Sequence, residues 1–342
     1  MEPYTLGLFA NMYPAFEGDY RGIFIQQMVR DLEARGVTVK KAVKTSPSVI
    51  GYIPFSWQSL LLARDSSPDI LQAEYIPHSC LIPALVRKRN VPLVLKFHGD
   101  DARIYPFTNR VNRSITDSML LRSDYVITAS EEIRQIIIGL GVKPDRVSAI
   151  HTGVDTEFFY PQQKKECRRV LGLPAEADIF VFVGRLHAWK GIRELLAVAR
   201  KCPAVTFVFI GPGEIPEHPD NCLFTGVKPP EKVRRWLNAA DCFILPTYTD
   251  AVPAAVMEAF ACGIPAITTD IGGCPEIVEQ EKSGLLVPVR DIERLKEAVE
   301  WMINHPVDRL RMGKNARETA VGRYDHRILT ARLIEVHRGL IR

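Results

Sequence analysis

Short apolar runs alternate with helix-compatible segments along this chain, and the alternation constrains the fold more than any other feature. The runs are continuously apolar, as in Phe207–Ile210, rather than apolar at every second residue. Continuous runs are typical of parallel strands that helices cover on both faces. The predicted strands are Thr5–Ala10, Val37–Val43, Ile70–Glu74, Leu93–Phe97, Tyr125–Ala129, Val147–Ile150, Ile179–Val183, Thr206–Ile210, Cys222–Thr225, Cys242–Pro246, Ala266–Thr269 and Leu285–Val287.

Two series of six strands, each interleaved with helices, predict two doubly wound α/β domains with Rossmann-like parallel sheets. The length of 342 residues agrees with this number, because a domain averages roughly 150 residues. We place the boundary between residues 157 and 158, just ahead of the polar stretch Gln162–Glu166.

Composition narrows the classes of function. The formal net charge is only +4, without the basic block that is typical of a nucleic-acid binder. The apolar runs are far shorter than the roughly 18 residues that a membrane span needs. The seven cysteines include no C-x-x-C pair and mostly adjoin apolar residues, which predicts buried, reduced thiols and a cytoplasmic protein.

Polar and glycine residues follow several predicted strands. In open parallel sheets, ligands bind in the crevice outside the carboxyl ends of the strands. The sequence therefore predicts two crevices that face each other across an interdomain cleft. The candidate segments are His98-Gly99-Asp100-Asp101, Gly184-Arg185, Lys190-Gly191, Gly211-Pro212-Gly213, Thr247–Asp250 and Asp270-Ile271-Gly272-Gly273.

Arg185 and Lys190 flank the predicted start of a helix. A helix N-terminus offers unpaired N–H groups and the positive end of the helix dipole, Arg adds a planar fork that matches phosphate, and Lys adds a point charge. This combination fits a diphosphate, although two solvated surface charges would give the same pattern. Gly211-Pro212-Gly213 likewise fits either a ligand contact or a plain tight turn.

Glu258 lies in the predicted helix Val252–Ala261, which has no other polar side chain. A carboxylate buried there needs a basic partner or ligand hydroxyls, unless it reaches water at the helix edge. His98 suits hydrogen bonding to a ligand, or is a strand-end histidine satisfied by loop backbone. The absence of D-x-D, H-E-x-x-H and paired C-x-x-C motifs predicts no metal site.

Taken in order, five groups of residues form a set of motifs that covers almost the whole chain. They are Tyr13-Pro14 with Gly18 and Gly22, His98-Gly99-Asp100-Asp101, His151-Thr152-Gly153-Val154-Asp155 with Phe159 and Pro161, Val183-Gly184-Arg185-Leu186 with Lys190-Gly191, and Asp250 through Glu258 with Gly263-Ile264-Pro265 and Gly272-Gly273-Cys274-Pro275-Glu276. This set resembles the family-4 (group 1) retaining glycosyltransferases of the GT-B fold.

The resemblance implies a hexosyltransferase that moves a sugar from a UDP- or GDP-linked donor to a hydroxyl of a glycan, lipid-linked or small acceptor, with no metal or other cofactor. It implies an acceptor-side N-terminal domain, a donor-binding domain over residues 158–324, and a last helix, 325–342, that crosses back. The implied catalytic residues are His98, Arg185, Lys190 and Asp250. The implied nucleotide-sugar residues are Gly18, Gly22, Gly184, Arg185, Lys190, Gly211, Gly213, Val252 and Glu258.

Two departures from the family pattern leave the sugar open. Asp250 stands where the family has Glu, and Ala251-Val252-Pro253 replaces Gly-Phe-Gly. The alternatives are an epimerase or phosphorylase on the same fold, or a nucleotide-sugar-binding protein without catalysis. In addition, the segment Tyr52–Leu62, near Lys40, Lys41 and Lys44, fits either core packing or a helix that contacts the inner face of a membrane.

Overall fold

The protein folds into two α/β units, each built around a six-stranded parallel sheet, in a computed structural model that describes residues 3–16, 19 and 21–341. The N-terminal unit contains residues 1–152 and 326–342, and the C-terminal unit contains residues 153–325. The predicted α/β class and all twelve predicted strands are confirmed, and no strand end differs from its prediction by more than one residue.

The elements follow one another in the order that doubly wound sheets require. The strands are β1 (Thr5–Ala10), β2 (Thr38–Val43), β3 (Ile70–Glu74), β4 (Leu93–Phe97), β5 (Tyr125–Thr128), β6 (Val147–Ala149), β7 (Asp178–Val183), β8 (Val205–Ile210), β9 (Cys222–Gly226), β10 (Cys242–Leu245), β11 (Ala266–Thr269) and β12 (Gly284–Val287). The helices are α1 (Ile23–Glu33), α2 (Tyr52–Arg64), α3 (Leu81–Val86), α4 (Asp100–Arg103), α5 (Tyr105–Thr108), α6 (Arg110–Arg122), α7 (Glu131–Gly139), α8 (Lys164–Leu171), α9 (Ile192–Lys201), α10 (Pro230–Ala239), α11 (Ala254–Ala261), α12 (Cys274–Ile277), α13 (Ile292–Asn304), α14 (Pro306–Thr319) and α15 (His326–Leu340).

The division between the units falls five residues before the predicted boundary, and Asp325 also belongs to the C-terminal unit. The reason is pairing at the end of that unit. The N–H of Val154 donates to the carbonyl of Tyr324 over 2.8 Å, and the Thr156 hydroxyl is hydrogen-bonded to the Asp325 carboxylate. Residues 153–157 are therefore held by their contacts with residues 324 and 325, which sequence position alone does not indicate.

In the N-terminal unit the sheet order is β2-β1-β3-β4-β5-β6. Helices α1 and α15 cover one face of this sheet, where Leu32, Leu329 and Leu333 are buried against Ile70 and Ile127. Fully burying one such apolar side chain stabilises a fold by roughly 1.5–3 kcal/mol. The last helix is thus part of the core of the N-terminal unit.

In the C-terminal unit the sheet order is β12-β11-β10-β7-β8-β9. The chain runs outward from β7 to β9 on one side and then from β10 to β12 on the other. Strand order therefore reverses between β7 and β10, and a crevice at such a switch point is the usual ligand site of a doubly wound sheet. Met257 and Phe260 of α11 are fully buried beneath this edge of the core.

Two further predictions concern the cysteines and membrane-spanning helices. All seven cysteines are buried thiols, as predicted. In the part of the chain that the structure describes, no helix is long and apolar enough to cross a membrane.

Candidate active site

The loops that follow β7, β10 and β11 are joined by backbone hydrogen bonds at the carboxyl edge of the C-terminal sheet. The N–H of Tyr248 donates to the carbonyl of Trp189 over 2.7 Å, and the N–H of Gly273 donates to the carbonyl of Asp250 over 3.0 Å. The predicted donor-site segments that begin at Gly184, Thr247 and Asp270 thus meet in one place.

Lys190 and Asp250 form an ion pair across the switch point, with 2.5 Å between the Lys190 ammonium and the Asp250 carboxylate. Their side chains are 23% and 15% exposed, so the pair is half-buried but open to a ligand. The family resemblance implied separate roles for these two residues and did not indicate that they pair. In the structure, Asp250 balances the charge of Lys190.

Arg185 directly follows β7 and is exposed. Within the described residues it has no carboxylate partner, in contrast to Lys190. A guanidinium without an internal partner is available for a bidentate contact with an anion. Lys190 ends a single turn, Ala188–Lys190, and Gly191 then caps α9. Lys190 thus lies directly before the start of α9, and Arg185 lies at the end of β7.

Glu258 lies midway along the apolar helix α11 and is partly buried. Burial raises the pKa of its carboxyl to about 7. Among the described residues, no basic side chain or hydrogen-bond donor pairs with this carboxyl. Of the three partners that the sequence analysis considered, ligand hydroxyls and water therefore remain. A partly desolvated carboxyl is unfavourable for stability, and such groups are frequent at functional sites.

The turn Gly211-Pro212-Gly213 packs against the loop after β7. The N–H of Leu186 donates to the carbonyl of Pro212 over 2.8 Å. A Cβ atom on Gly211, where φ is +144°, would lie 2.0 Å from the carbonyl oxygen of Gly184. This close approach gives Gly211 a structural reason for its identity, and Gly213 is likewise close to Leu186; a contact of either glycine with the donor stays a prediction.

Two predicted features of the donor segment change in the structure. The helix that was predicted from Val252 begins at Ala254, with Pro253 as its N-cap residue. The residue before a proline is disfavoured in helical conformation, which excludes Val252 from the helix. Val252 instead lies partly buried against the core of the C-terminal unit.

The predicted glycine loop is described only in part. Gly18 lies outside the described residues. Gly22 is the N-cap of α1 with φ +67°, and a Cβ atom there would lie 2.5 Å from the carbonyl oxygen of Met12. Close backbone approach thus gives Gly22 a structural reason for its identity, beside any contact with a ligand.

His98, at the end of β4, has a side chain that is only 6% exposed. Its ring stacks on Tyr75, with 4.3 Å between ring centroids, and Phe24 lies 5.1 Å away. Its Nε2 donates to Oε2 of Glu74 over 2.6 Å. Of the two interpretations of His98, ligand binding stays a prediction; the partner of Nε2 in the structure is a carboxylate on the neighbouring strand β3 rather than loop backbone.

Glu74 also ends a chain of buried hydrogen bonds that begins at Tyr4. The Tyr4 hydroxyl donates to Nδ1 of His337 over 2.8 Å, and Nε2 of His337 donates to the Gln72 carbonyl oxygen over 2.7 Å. The Gln72 amide then donates to Glu74. Burial and the nearby charge of Lys96 lower the pKa of His337 to about 3, so its ring is neutral.

Every donor in this chain points toward Glu74. Burial opposes ionisation of the Glu74 carboxyl, but the charge of Lys96 and the hydrogen bond from His98 outweigh it and lower the pKa to about 2. Sequence reasoning missed Glu74. The available signal was the pair Gln72 and Glu74, two residues apart and hence on one face of a strand that is otherwise apolar.

We expect Glu74→Gln to lower the free energy of unfolding by about 2 kcal/mol at pH 7, because His98 loses its anionic acceptor. The folded-state pKa of about 2 lies below the unfolded value of 4.5, so this stabilisation is complete above pH 4.5 and declines as pH falls toward 2. Urea unfolding at pH 7 and pH 4 measures the difference. Glu33→Gln, an exposed control, should change little, and equal effects of both substitutions would contradict the assignment.

Family models divide the chain as the two units do. Residues 14–158 match the model of glycosyltransferase family 4, and residues 163–319 match the model of glycosyl transferases group 1. The chain belongs to the family-4, group 1 glycosyltransferases. It is accordingly a glycosyltransferase, as the motifs predicted.

Individual relatives agree with this assignment. The glycosyltransferase TuaC of Bacillus subtilis (strain 168), assigned to teichuronic acid biosynthesis, is 28% identical over 268 residues, which cover 77% of this chain and 68% of TuaC. Sucrose-phosphate synthase from Thermosynechococcus elongatus matches with a TM-score of 0.83 at 19% identity, over 99% of each chain. The Anabaena protein HepE, in complex with UDP and glucose, matches with a TM-score of 0.79 at 17% identity, over 98% of this chain and 100% of its own. At such identities the two structures establish the GT-B fold.

Proposed function

We propose that this enzyme transfers a sugar from a nucleoside-diphosphate sugar to an acceptor hydroxyl, with retention of anomeric configuration and without a metal ion. The observation that carries the proposal is the Lys190–Asp250 ion pair at the switch point between β7 and β10, half-buried at 2.5 Å. The exposed Arg185 follows β7 as well. Two cations of the chain can then neutralise a diphosphate, a task that divalent metals perform in other enzymes.

Different residues of the C-terminal unit bind different parts of the donor. Arg185 and Lys190 bind the diphosphate and stabilise its charge as it leaves. The Glu258 carboxyl accepts hydrogen bonds from the ribose hydroxyls, which replace the water that burial has removed. Asp250 contacts the sugar. The contact of His98 with the sugar, which the family resemblance implies, stays a prediction.

The proposed reaction follows from these roles. The bond between the anomeric carbon and the diphosphate oxygen breaks, and its electron pair leaves with the diphosphate that Arg185 and Lys190 hold. The acceptor hydroxyl forms the new bond on the same face of the sugar, which retains configuration. Its proton passes to an oxygen of the departing phosphate. No group of the protein needs to act as nucleophile.

Several observations support the choice of substrates. HepE binds UDP and glucose on the same fold, which favours a UDP-linked donor, and a GDP-linked donor fits the same contacts. The similarity to TuaC, assigned to teichuronic acid biosynthesis, favours a glycan or lipid-linked acceptor. We also propose a cytoplasmic enzyme in peripheral contact with the inner face of the membrane. Seven buried thiols suit that reducing compartment.

A thermal-shift series with UDP, GDP and ADP, free and linked to hexoses, tests donor binding, because a ligand of the folded state raises the melting temperature. We expect one nucleotide class to stabilise the protein. Release of that nucleotide only when an acceptor is added would support transfer. Binding without release under any acceptor would instead favour a nucleotide-sugar-binding protein.

Turnover should persist in excess EDTA, since Arg185 and Lys190 replace the metal in the proposed mechanism. In the described ranges of the chain, no group of three His, Cys, Asp or Glu side chains is arranged to hold a metal ion. Initial rates before and after dialysis against EDTA measure this. A loss of activity that Mn²⁺ or Mg²⁺ restores would overturn the metal-free mechanism.

A further inference from the structure

Helix α2 exposes an apolar stripe on the surface of the N-terminal unit. Ile53, Trp57 and Leu61 are spaced four residues apart, which places them on one side of the helix, and they are 72%, 63% and 56% exposed. The opposite side is apolar too and packs into the unit through Phe55 and Leu62. A helix that is apolar on both sides normally has a partner for each.

The neighbouring helix α3 also exposes apolar side chains. Helices α2 and α3 pack against each other, and α3 exposes Leu81 and Leu85, again four residues apart. Exposed apolar surface of this extent marks an interaction site rather than ordinary surface. We call it the α2–α3 face, which comprises Ile50, Ile53, Trp57, Leu61, Leu81 and Leu85.

Basic side chains adjoin the α2–α3 face. Residues 34–99 include nine Lys or Arg and three Asp or Glu; of the basic residues, Lys44 and Lys96 are buried, and the others are at least partly exposed. No acidic residue occurs between Glu33 and Asp65 or between Glu74 and Asp100. Lys41 and Arg64 line a groove beside Leu61. Lys40 and Asp65 line it too and neutralise each other as an ion pair. The exposed Lys88 and Arg89 follow α3.

We infer that the α2–α3 face docks the enzyme on an anionic lipid surface. Apolar side chains would enter the boundary between headgroups and acyl chains, while Lys and Arg contact lipid phosphates. Trp57 has an amphipathic ring of the kind that concentrates at this boundary. A second copy of the chain is the less suitable occupant, because a symmetric interface would bring the two basic rims together.

This inference deepens the proposed function, since a lipid-linked acceptor would be presented at that same surface. It can nevertheless be tested without any transfer reaction. Flotation of the full chain with vesicles of phosphatidylcholine, with and without phosphatidylglycerol, measures docking directly. We expect binding to the vesicles that contain phosphatidylglycerol, and weaker binding as salt screens the charges.

The variant Trp57→Ser/Leu61→Ser should bind these anionic vesicles at least about tenfold more weakly, because two apolar side chains no longer enter the lipid. The matched control is Val307→Ser/Leu310→Ser, which changes two residues of α14 that are 78% and 71% exposed. The control should bind like the unmodified protein. Lys41→Glu/Arg64→Glu should remove the preference for anionic over neutral vesicles.

Failure of the unmodified protein to bind anionic vesicles would overturn the inference, as would equal binding by Trp57→Ser/Leu61→Ser. A dimer that this variant converts to monomer, without vesicle binding, would identify a second copy as the occupant and also overturn it. Calorimetry with UDP and GDP separates this question from the proposed function. Nucleotide binding should be unchanged in the variant, whichever way docking turns out.

Discussion

Arg185→Ala is expected to reduce kcat/KM by roughly 30- to 1,000-fold, equivalent to about 2–4 kcal/mol of transition-state stabilisation. The guanidinium is exposed at the end of β7, so its removal should leave the melting temperature almost unchanged. The measurement is steady-state kinetics with the donor that the thermal-shift series identifies. A normal rate would remove Arg185 from the diphosphate site.

Lys190→Ala should cause an equal or larger loss than Arg185→Ala. It removes a cation and also takes from the Asp250 carboxylate the ammonium that lies 2.5 Å away in the intact pair. That carboxylate would then repel the diphosphate. Lys201→Ala is the matched control, because Lys201 ends the same helix α9 and pairs with Glu293 on the surface. The control should retain full activity.

Glu258→Gln is expected to change stability and affinity in opposite directions. The ligand-free protein should become more stable by about 1–3 kcal/mol at pH 8, because a poorly solvated negative charge is removed. Affinity for the nucleoside diphosphate should fall by about 5- to 30-fold, because hydrogen bonds from ribose hydroxyls lose the charge of their acceptor. Calorimetric unfolding and binding titrations give the two values.

The pH dependence of this stability has a definite sign. The Glu258 pKa is 4.5 in the unfolded chain and about 7 in the folded protein, so between these values the folded state holds the additional proton. The free energy of unfolding should therefore fall as pH rises from 4.5 to 7, and Glu258→Gln should lack this fall. The exposed control Glu279→Gln should behave like the unmodified protein. A pH-independent gap between Glu258→Gln and the unmodified protein would contradict the raised pKa.

Asp250→Ala provides a contrast at the same site. It frees Lys190 for phosphate, so affinity for the nucleoside diphosphate alone should be kept or rise. Turnover of the intact donor should fall, because the sugar loses a partner. Equal losses of nucleotide affinity in Asp250→Ala and Glu258→Gln would exclude separate roles for the two carboxylates.

The sequence predicts the strands of this fold closely because a fully buried parallel strand is a continuous apolar run. Thr5–Ala10 and Ala266–Thr269 are found with their predicted bounds. The sequence predicts helix starts less closely, because the first residue of a helix depends on the local cap. Pro253, for example, is the N-cap residue that starts α11 two residues later than predicted. Local patterns also indicated Arg185 and Lys190, because the end of β7, these two cations and the start of α9 lie in one continuous stretch of sequence.

The sequence did not predict the side-chain pairs that depend on strand order. Lys190 meets Asp250 only because β10 lies beside β7 rather than beside β9. His98 meets Glu74 because β3 and β4 are neighbours in parallel register. Local composition does not show that β7 neighbours β10 or that β3 neighbours β4. Residue type predicted which side chains would carry chemistry, and topology decided which carboxylate each of them faces.

Helix α15 has a consequence for the synthesis of this protein. Leu329 and Leu333 complete the core of the N-terminal sheet, and His337 donates to Gln72 in the middle of that sheet. Residues 326–342 are translated after the whole of the C-terminal unit, which contains residues 153–325. The C-terminal unit can therefore close around its own sheet while the N-terminal unit, made first, still lacks a helix. The core of the N-terminal unit therefore needs a helix that is synthesised only after the C-terminal unit.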